Sequence, residues 1–387
     1  MTSIPYGRQD INEEDIAAVD AVLRSDWLTQ GPAVERFEEA VKHYCGAAHA
    51  VAVNSATSAL HLACRALDLG PGDILWTSPN TFVASANAAL YCGAGIDFVD
   101  IDPRTYNMSV EALVQKLEER EKTGKLPKVV MPVHFAGQSC DMAEIGRLAV
   151  RYGFSIIEDA SHAIGGQRDD EPVGNCAYSS ITVFSFHPVK IITTGEGGMA
   201  VTNDAELSDR MRLLRSHGVT RNPECMIGEA HGPWYYQQVE LGYNYRMTDM
   251  QAALGASQMK RIDEFVAKRH QIAGRYDEFL SSLPVVLPWQ HPASRSAYHL
   301  YPIRIDREHT SSSRSAAFAA LRENGIGVNV HYIPVHTQPY FRALGFNAGD
   351  FPRAEAYYAD AISIPLYPRM GEADQMRVVD VLRCVLA

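Results

Sequence analysis

Lys190 stands in the run ITVFSFHPVKIITTGEGGMAVT, residues 181–202, between two apolar segments that read as strands. An ammonium held among buried strands loses water, and desolvation lowers a lysine pKa. The neutral amine that results at physiological pH is the form a Schiff-base nucleophile needs. Ser185 and His187 precede the lysine, and Gly195, Gly197 and Gly198 follow it. Glycines there permit a sharp turn and a close approach of backbone to whatever the lysine holds. In isolation the same run also suits a surface lysine on an ordinary hairpin, so the other segments must decide.

Three further turns carry polar or aromatic residues just after apolar runs. Asn54-Ser55-Ala56-Thr57-Ser58 opens the helical pattern ALHLACRAL, where first-turn amides, hydroxyls and the helix dipole suit a phosphate. Glu158-Asp159-Ala160-Ser161-His162 closes another apolar run, and an acid at the end of a buried strand could pair with a protonated ring nitrogen. Phe82, in SPNTF, could lie flat against an aromatic cofactor. Taken singly, each has a plainer reading: a helix cap, a capping carboxylate, a core phenylalanine. Together a phosphate-ready turn, an acid, an aromatic plate and a desolvated lysine describe a pyridoxal-phosphate site.

The elements that must position these residues alternate along the first half of the chain. Apolar runs at 48–53, 74–77, 96–99, 128–133, 155–158, 181–186 and 198–202 read as strands. Helical patterns at 57–67, 83–92, 110–120 and 142–152 separate them, after helices at 12–25 and 34–44. Such alternation predicts an α/β fold with a mostly parallel sheet covered by helices on both faces, and ligands collect at the carboxyl ends of its strands. From 205 to about 280 the pattern turns helical, ending in a long amphipathic stretch over 248–279. Strands at 299–305 and 328–331 and helices at 313–323 and 372–385 complete a smaller α+β region. We divide the chain at 1–250, a large domain with an N-terminal arm, and 251–387, a small domain with the connecting helix.

Composition narrows the function classes. The 387 residues are 46% apolar and 21% charged, ordinary for a soluble globular chain. A formal net charge of −11 argues against nucleic acid as partner, since phosphate backbones need clustered Lys and Arg. The seven cysteines are scattered with no CxxC pair, which predicts reduced thiols in a cytoplasmic protein. No stretch has the apolar length of a membrane span, and the N-terminus lacks a signal-peptide core.

The run SFHPVK…TTGEGG, with EDASHAIGG upstream and LGYNYRMTDMQAALG downstream, resembles the DegT/StrS family of nucleotide-sugar aminotransferases over nearly the whole chain. That resemblance implies the type I, aspartate-aminotransferase-like fold with pyridoxal 5'-phosphate (PLP) as cofactor. It makes Lys190 the lysine that anchors the cofactor, Asp159 the partner of the pyridine nitrogen, and His162 a residue against the ring. Phe82 falls at the stacking position, and Thr57, Ser58 and Ser185 at phosphate contacts. Asn244, in GYNYRMTD, would reach the neighbouring subunit's site, which implies a homodimer with shared active sites. Sugar dehydratases of this fold carry histidine in place of the lysine, so the intact Lys190 favours amino transfer.

Within the family, HFAGQSCDM, GPWYYQQVELGYNYRMTD and HYIPVHTQPYF are most similar to members of the pseudaminic-acid branch. This implies a UDP-linked 2-acetamido-2,6-dideoxy-4-keto-hexose as substrate and L-glutamate as amino donor, giving 2-oxoglutarate. Tyr6, Arg8, Trp27 and Thr29 occupy the arm and loop where the family contacts nucleotide; His187, His331 and Tyr332 are further substrate-facing candidates. His331 and His336 lack the additional ligands a metal would need, so no metal is expected. Two other classes stay in view. A dinucleotide oxidoreductase would need GxGxxG where this chain has NSATSAL. A non-catalytic regulator on the same fold would have no need to keep both Lys190 and Asp159.

Overall fold

A computed structural model describes residues 3–386. Seven strands form the central sheet: His49–Val53, Ile74–Thr77, Gly95–Phe98, Val129–Met131, Ser155–Asp159, Ile181–Ser185 and Gly198–Thr202. Their spatial order, by first residue, is 49, 198, 181, 155, 129, 74, 95. Neighbours pair parallel from the 95–98 edge through Ile181–Ser185. Gly198–Thr202 runs antiparallel to both of its neighbours. The sheet is thus mostly parallel, and its strands are apolar on both faces because helices cover both. Ile181 and Val183 face one buried cluster with Leu60, Met131 and Ile157. Phe184 and Phe186 face the other with Phe37, Ile164, Val201 and Val266.

Local sequence accounts for the helix starts around the sheet. Asn12 caps Glu13–Leu23 in a reciprocal capping box with Asp15. Ser55 caps Ala56–Ala66 by accepting the Ser58 amide, and Asp141 caps Met142–Tyr152. These ends fall within a residue or two of the sequence expectation, since capping and periodicity are local signals.

Three expectations fail in the second half. Before 248 the α-helix covers only Ala205–Arg215; residues 216–247 form turns, a 3-10 helix at Pro223–Cys225 and a short pairing of Val219–Thr220 with Gln237–Gln238. The amphipathic run over 248–279 is two helices, Asp249–Met259 and Ile262–Leu280. No glycine or proline marks the break. Arg261 leaves helical geometry there, and its guanidinium bonds Asp15 Oδ2 at 2.6 Å and the Asp10 carbonyl at 3.0 Å. A tertiary ion pair, invisible to periodicity, terminates the helix. The strand expected at 328–331 reduces to one bridge, Asn329 to Ser363. The partner strand Ala361–Ile364, not anticipated, pairs with Tyr301–Ile305 instead.

Tyr276, Tyr301, Ile303, Leu321, Ile362 and Val378 build a second core, to which Ile4 of the N-terminal arm contributes. Asp249–Met259 packs on helices Glu13–Leu23 and Pro32–Cys45, whereas Ile262–Leu280 packs on the C-terminal helix Glu372–Leu386. A shared cluster of Phe98, Tyr106, Phe135, Val335 and Tyr357 joins the edge of the large sheet to the C-terminal region. Among the described residues no helix is long and apolar enough to cross a membrane. All seven cysteines are free thiols, five of them buried.

Candidate active site

The carboxyl ends of the parallel strands open into one chamber of about 620 Å³, closed from the other side by residues 329–333 of the C-terminal region. Thr57, Phe82, Asp159, His162, Ser185, His187 and Lys190 all line it, although they come from four separate strand ends. Tyr6, His331 and Tyr332 line it from the arm and the small region. The remaining candidates do not. Ser58 is buried behind the turn, donating its hydroxyl to Asn54 Oδ1 at 2.7 Å. Ser55, one turn earlier, lines the chamber in its place. Arg8, Trp27, Thr29 and Asn244 are exposed and lie outside the chamber of their own chain.

Lys190 sits in the connection between the antiparallel strands Ile181–Ser185 and Gly198–Thr202. Its amide donates to the His187 carbonyl at 2.9 Å, and the turn closes through Thr194 N–H to the Phe186 carbonyl at 3.0 Å. The side chain is partly accessible, but the space it touches is the chamber itself. Burial therefore dominates its charge state and brings its pKa down to about 8, against an opposing pull from Asp159. Near neutral pH a useful fraction of the amine is unprotonated, unlike a surface lysine. A Cβ on Gly198 would meet the backbone of Ser55 and Ala56 at 2.5–2.6 Å, so only glycine lets this strand close against the phosphate-ready turn.

Asp159 ends Ser155–Asp159 with both carboxylate oxygens engaged. Oδ2 accepts from Ser85 Oγ at 2.6 Å, and Oδ1 accepts from the Ser161 amide at 3.1 Å. Ser85 in turn shares a hydroxyl contact of 2.8 Å with Thr81. The adjacent Glu158 faces the opposite side, where it accepts from His134 Nε2 at 2.7 Å and from Thr182. Alternation along the strand thus separates a structural acid from one presented to the chamber.

His162 is buried, and its imidazole is held neutral by desolvation and by nearby Lys190 and His331. Its Nδ1 accepts the Ala136 amide at 3.2 Å, which assigns the ring proton to Nε2, 3.0 Å from the Tyr332 hydroxyl. Tyr332 accepts that proton contact and keeps its own O–H free to donate. Burial pushes its phenol pKa up, so it stays protonated. His331 is likewise neutral, its pKa brought down to about 3 by burial and then by Lys190, and it contacts Ser363 Oγ through Nδ1 at 2.8 Å. His336 turns instead to Glu355 at 2.8 Å, away from His331.

Phe82 exposes 60% of its surface, which rules out the reading as a core phenylalanine; it forms chamber wall beside Tyr332, with ring centroids 6.3 Å apart. Several lining residues were missed from sequence, Ser85 and His299 among them. Ser85 lies inside helix Val83–Tyr91, where a serine carries no local signal. His299 opens the strand read at 299–305 and there carries no signal of a site.

The residues fit PLP on the geometry of the chamber itself. A helix start, with Ser55, Thr57 and Ser185 lining the chamber beside it, suits the phosphate. The twice-bonded Asp159 carboxylate suits a ring N–H, and Lys190 is a desolvated amine. Fold and site together define a PLP-dependent aminotransferase of the type I fold.

Comparison with known proteins agrees. Residues 9–383 match the DegT/DnrJ/EryC1/StrS aminotransferase family, and the chain belongs to that family. It is 40% identical to the spore coat polysaccharide biosynthesis protein SpsC of Bacillus subtilis, over 99% of this chain and 97% of that protein. It is 39% identical to the UDP-4-amino-4,6-dideoxy-N-acetyl-beta-L-altrosamine transaminase of Campylobacter jejuni, with the same coverages. Helicobacter pylori PseC, an aminotransferase of pseudaminic acid biosynthesis, superposes with a TM-score of 0.90 at 31% identity, covering 100% of this chain and 99% of that one. The PLP form of Spr1654 from Streptococcus pneumoniae, described as a sugar aminotransferase, superposes at 0.88 with 29% identity and full coverage of both chains.

Proposed function

We propose that the protein transfers the amino group of L-glutamate to the 4-keto carbon of a UDP-linked 2-acetamido-2,6-dideoxy-hexos-4-ulose. The product would be UDP-4-amino-4,6-dideoxy-N-acetyl-beta-L-altrosamine, a step of pseudaminic acid biosynthesis in the cytoplasm. The observation that carries the aminotransfer part is the desolvated Lys190 amine facing Asp159 across one chamber. The sugar rests on the likeness to the Campylobacter jejuni transaminase and to PseC. A different nucleotide keto-sugar is the second reading, favoured by the equally similar Bacillus subtilis protein, whose name concerns spore coat polysaccharide.

Bound PLP supplies an electron sink for the carbon that loses or gains the proton. In this reading the chain's residues divide the remaining work. Asp159 holds the ring N–H, and Thr57, Ser185 and the turn before them hold the phosphate, with Ser58 bracing that turn. Phe82 and His162 restrain the ring. Lys190 Nζ, as a free amine in the chamber, would take the proton from one carbon and return it to the other. The 1–250 region carries these groups, and 251–387 closes over them with His331 and Tyr332.

Asn244 fits a contact to the partner subunit's chamber. It is exposed, lies outside its own chamber, and follows a segment with exposed Ile227, Trp234, Tyr236 and Leu241. Arg8, Trp27 and Thr29 are kept as nucleotide contacts on the same footing, with Tyr6 and His187 nearer the opening. The deciding experiment is amino transfer from glutamate to a panel of UDP- and dTDP-4-keto sugars, with product stereochemistry read by NMR. Turnover confined to a dTDP sugar would refute the proposed substrate. Mixed dimers of Lys190→Ala and Asn244→Ala chains test the shared site: one restored chamber per dimer is expected, and no restoration refutes it.

A further inference from the structure

His299 lines the chamber, yet it takes part in none of the roles above. Its backbone is fixed from two sides. The His299 amide donates to the Ala136 carbonyl at 2.9 Å, and the Ala136 amide is the group that binds His162 Nδ1. Behind it, Arg269 Nη1 donates to the carbonyls of Tyr298, His299 and Leu366 at 3.1, 3.3 and 3.2 Å. The imidazole packs on His162 with ring centroids 4.4 Å apart. Its Nδ1 is enclosed and has no hydrogen-bond partner. With Nδ1 enclosed and out of a ligand's reach, the nitrogen this firmly held ring can offer to the chamber is Nε2.

The surrounding charge says which ligand chemistry fits. Arg269 is 1% exposed, its Nε is unpartnered, and no carboxylate offsets the burial that depresses its pKa. Lys190 also lies near His299, with the imidazoles of His162 and His331 beside it. These neighbours and burial hold the His299 ring neutral. An enclosed N–H without an acceptor is a costlier orphan than a bare lone pair, so the single ring proton belongs on Nε2. Among the described residues that line the chamber there is no arginine, the usual bidentate partner of a carboxylate.

We propose that His299 binds a carboxylate of the amino donor, offering its Nε2–H to a carboxylate oxygen inside the chamber. This rests on the aminotransfer reading and adds a residue that selects the donor. Arg269 serves it as a positioning residue, fixing the strand entry and keeping positive potential behind the ring.

The test uses the PLP-loaded protein with His299→Phe, which keeps the ring volume, and His299→Gln, which restores an N–H near the Nε2 position. Glutarate, an unreactive dicarboxylate, is titrated by absorbance; glutamate conversion is followed in single turnover; UDP probes the nucleotide region. Expected for His299→Phe is glutarate affinity and subsaturating glutamate conversion about 10- to 100-fold weaker, the scale of a hydrogen bond to a charged group. His299→Gln should recover to within about 10-fold, with UDP affinity and cofactor retention unchanged in both. Wild-type glutarate affinity in His299→Phe would overturn the assignment. So would a loss of UDP affinity instead, which makes diphosphate the ligand, or a loss of PLP, which makes a cofactor oxygen the acceptor. If His299→Phe does not fold, His299→Asn against His299→Gln gives the same comparison. Wild-type protein that leaves glutamate unconverted would instead refute the donor named under the proposed function, and this assignment with it.

Discussion

Ser85 Oγ, in the first turn of helix Val83–Tyr91, lies 2.6 Å from Oδ2 of Asp159, the last residue of strand Ser155–Asp159. The serine hydroxyl, itself linked to Thr81 at 2.8 Å, sets the rotation of the carboxylate that faces the chamber. A hydrogen bond to a charged acceptor is worth about 1.5–3 kcal/mol.

Ser85→Ala should therefore loosen the carboxylate proposed to hold the pyridine nitrogen, without removing any charge. Cofactor affinity is expected to fall about 10-fold, and kcat with it. Equilibrium dialysis of PLP, read by absorbance, checks this. Unchanged affinity with full activity would mean the Ser161 amide suffices to hold Asp159.

The depressed pKa of Lys190 has a consequence for the cofactor-free protein. The folded-state value of about 8 lies below the ordinary 10.5, so between these the unfolded chain binds more protons than the folded one. Stability from this group therefore rises with pH across that window, and the cost of burying the ammonium is fully present below it. Lys190→Met apoprotein should be more stable than wild type at pH 7, with the gap closing between about pH 8 and 10.5. Urea unfolding of both apoproteins across pH measures it. A gap independent of pH would place the effect in packing.

His162 Nε2 donates to the Tyr332 hydroxyl, His162 buried and Tyr332 half-buried at the junction of the large sheet and the C-terminal region. Tyr332→Phe leaves the His162 N–H without its acceptor, at a cost of about 1–3 kcal/mol. A lower thermal midpoint together with slower amino transfer is expected. Calorimetry of the PLP-loaded variant, combined with steady-state rates, would show whether stability and rate fall together.

Gly198→Ala places a methyl 2.5 Å from the Ala56 amide nitrogen, against backbone that cannot turn aside. Overpacking of this kind costs about 1–3 kcal/mol. Because the strain is directed at the phosphate turn, PLP affinity should drop more than the thermal midpoint of the apoprotein does. Phosphate-end damage is distinguished by titrating pyridoxal beside PLP: only the phosphorylated form should lose affinity.

Much of this molecule was legible in its sequence, for local reasons. Strand and helix positions in the first half follow from apolar alternation and from caps such as Asn12 and Ser55, which act within a few residues. The family motifs around Lys190 and Asp159 led to the cofactor and the class of reaction, and both residues do line one chamber. The helix break at Lys260 and Arg261 was not legible, because Asp10 and Asp15, some 250 residues away in the chain, make it. Nor was Ser58's turn away from the chamber toward Asn54, since a one-residue rotation on a helix start changes no propensity.

Only the tertiary structure could decide what surrounds each reactive group. Sequence names Lys190, His162 and His331; their charge states depend on burial and on one another. Lys190 is a usable amine because residues 329–333 close the chamber over it, and Asp159 is oriented because Ser85 stands opposite. Hydrogen bonding and desolvation act over a few ångströms in space, whatever the separation along the chain. That is why the reaction class came from residue types and order, while the working geometry came from folding.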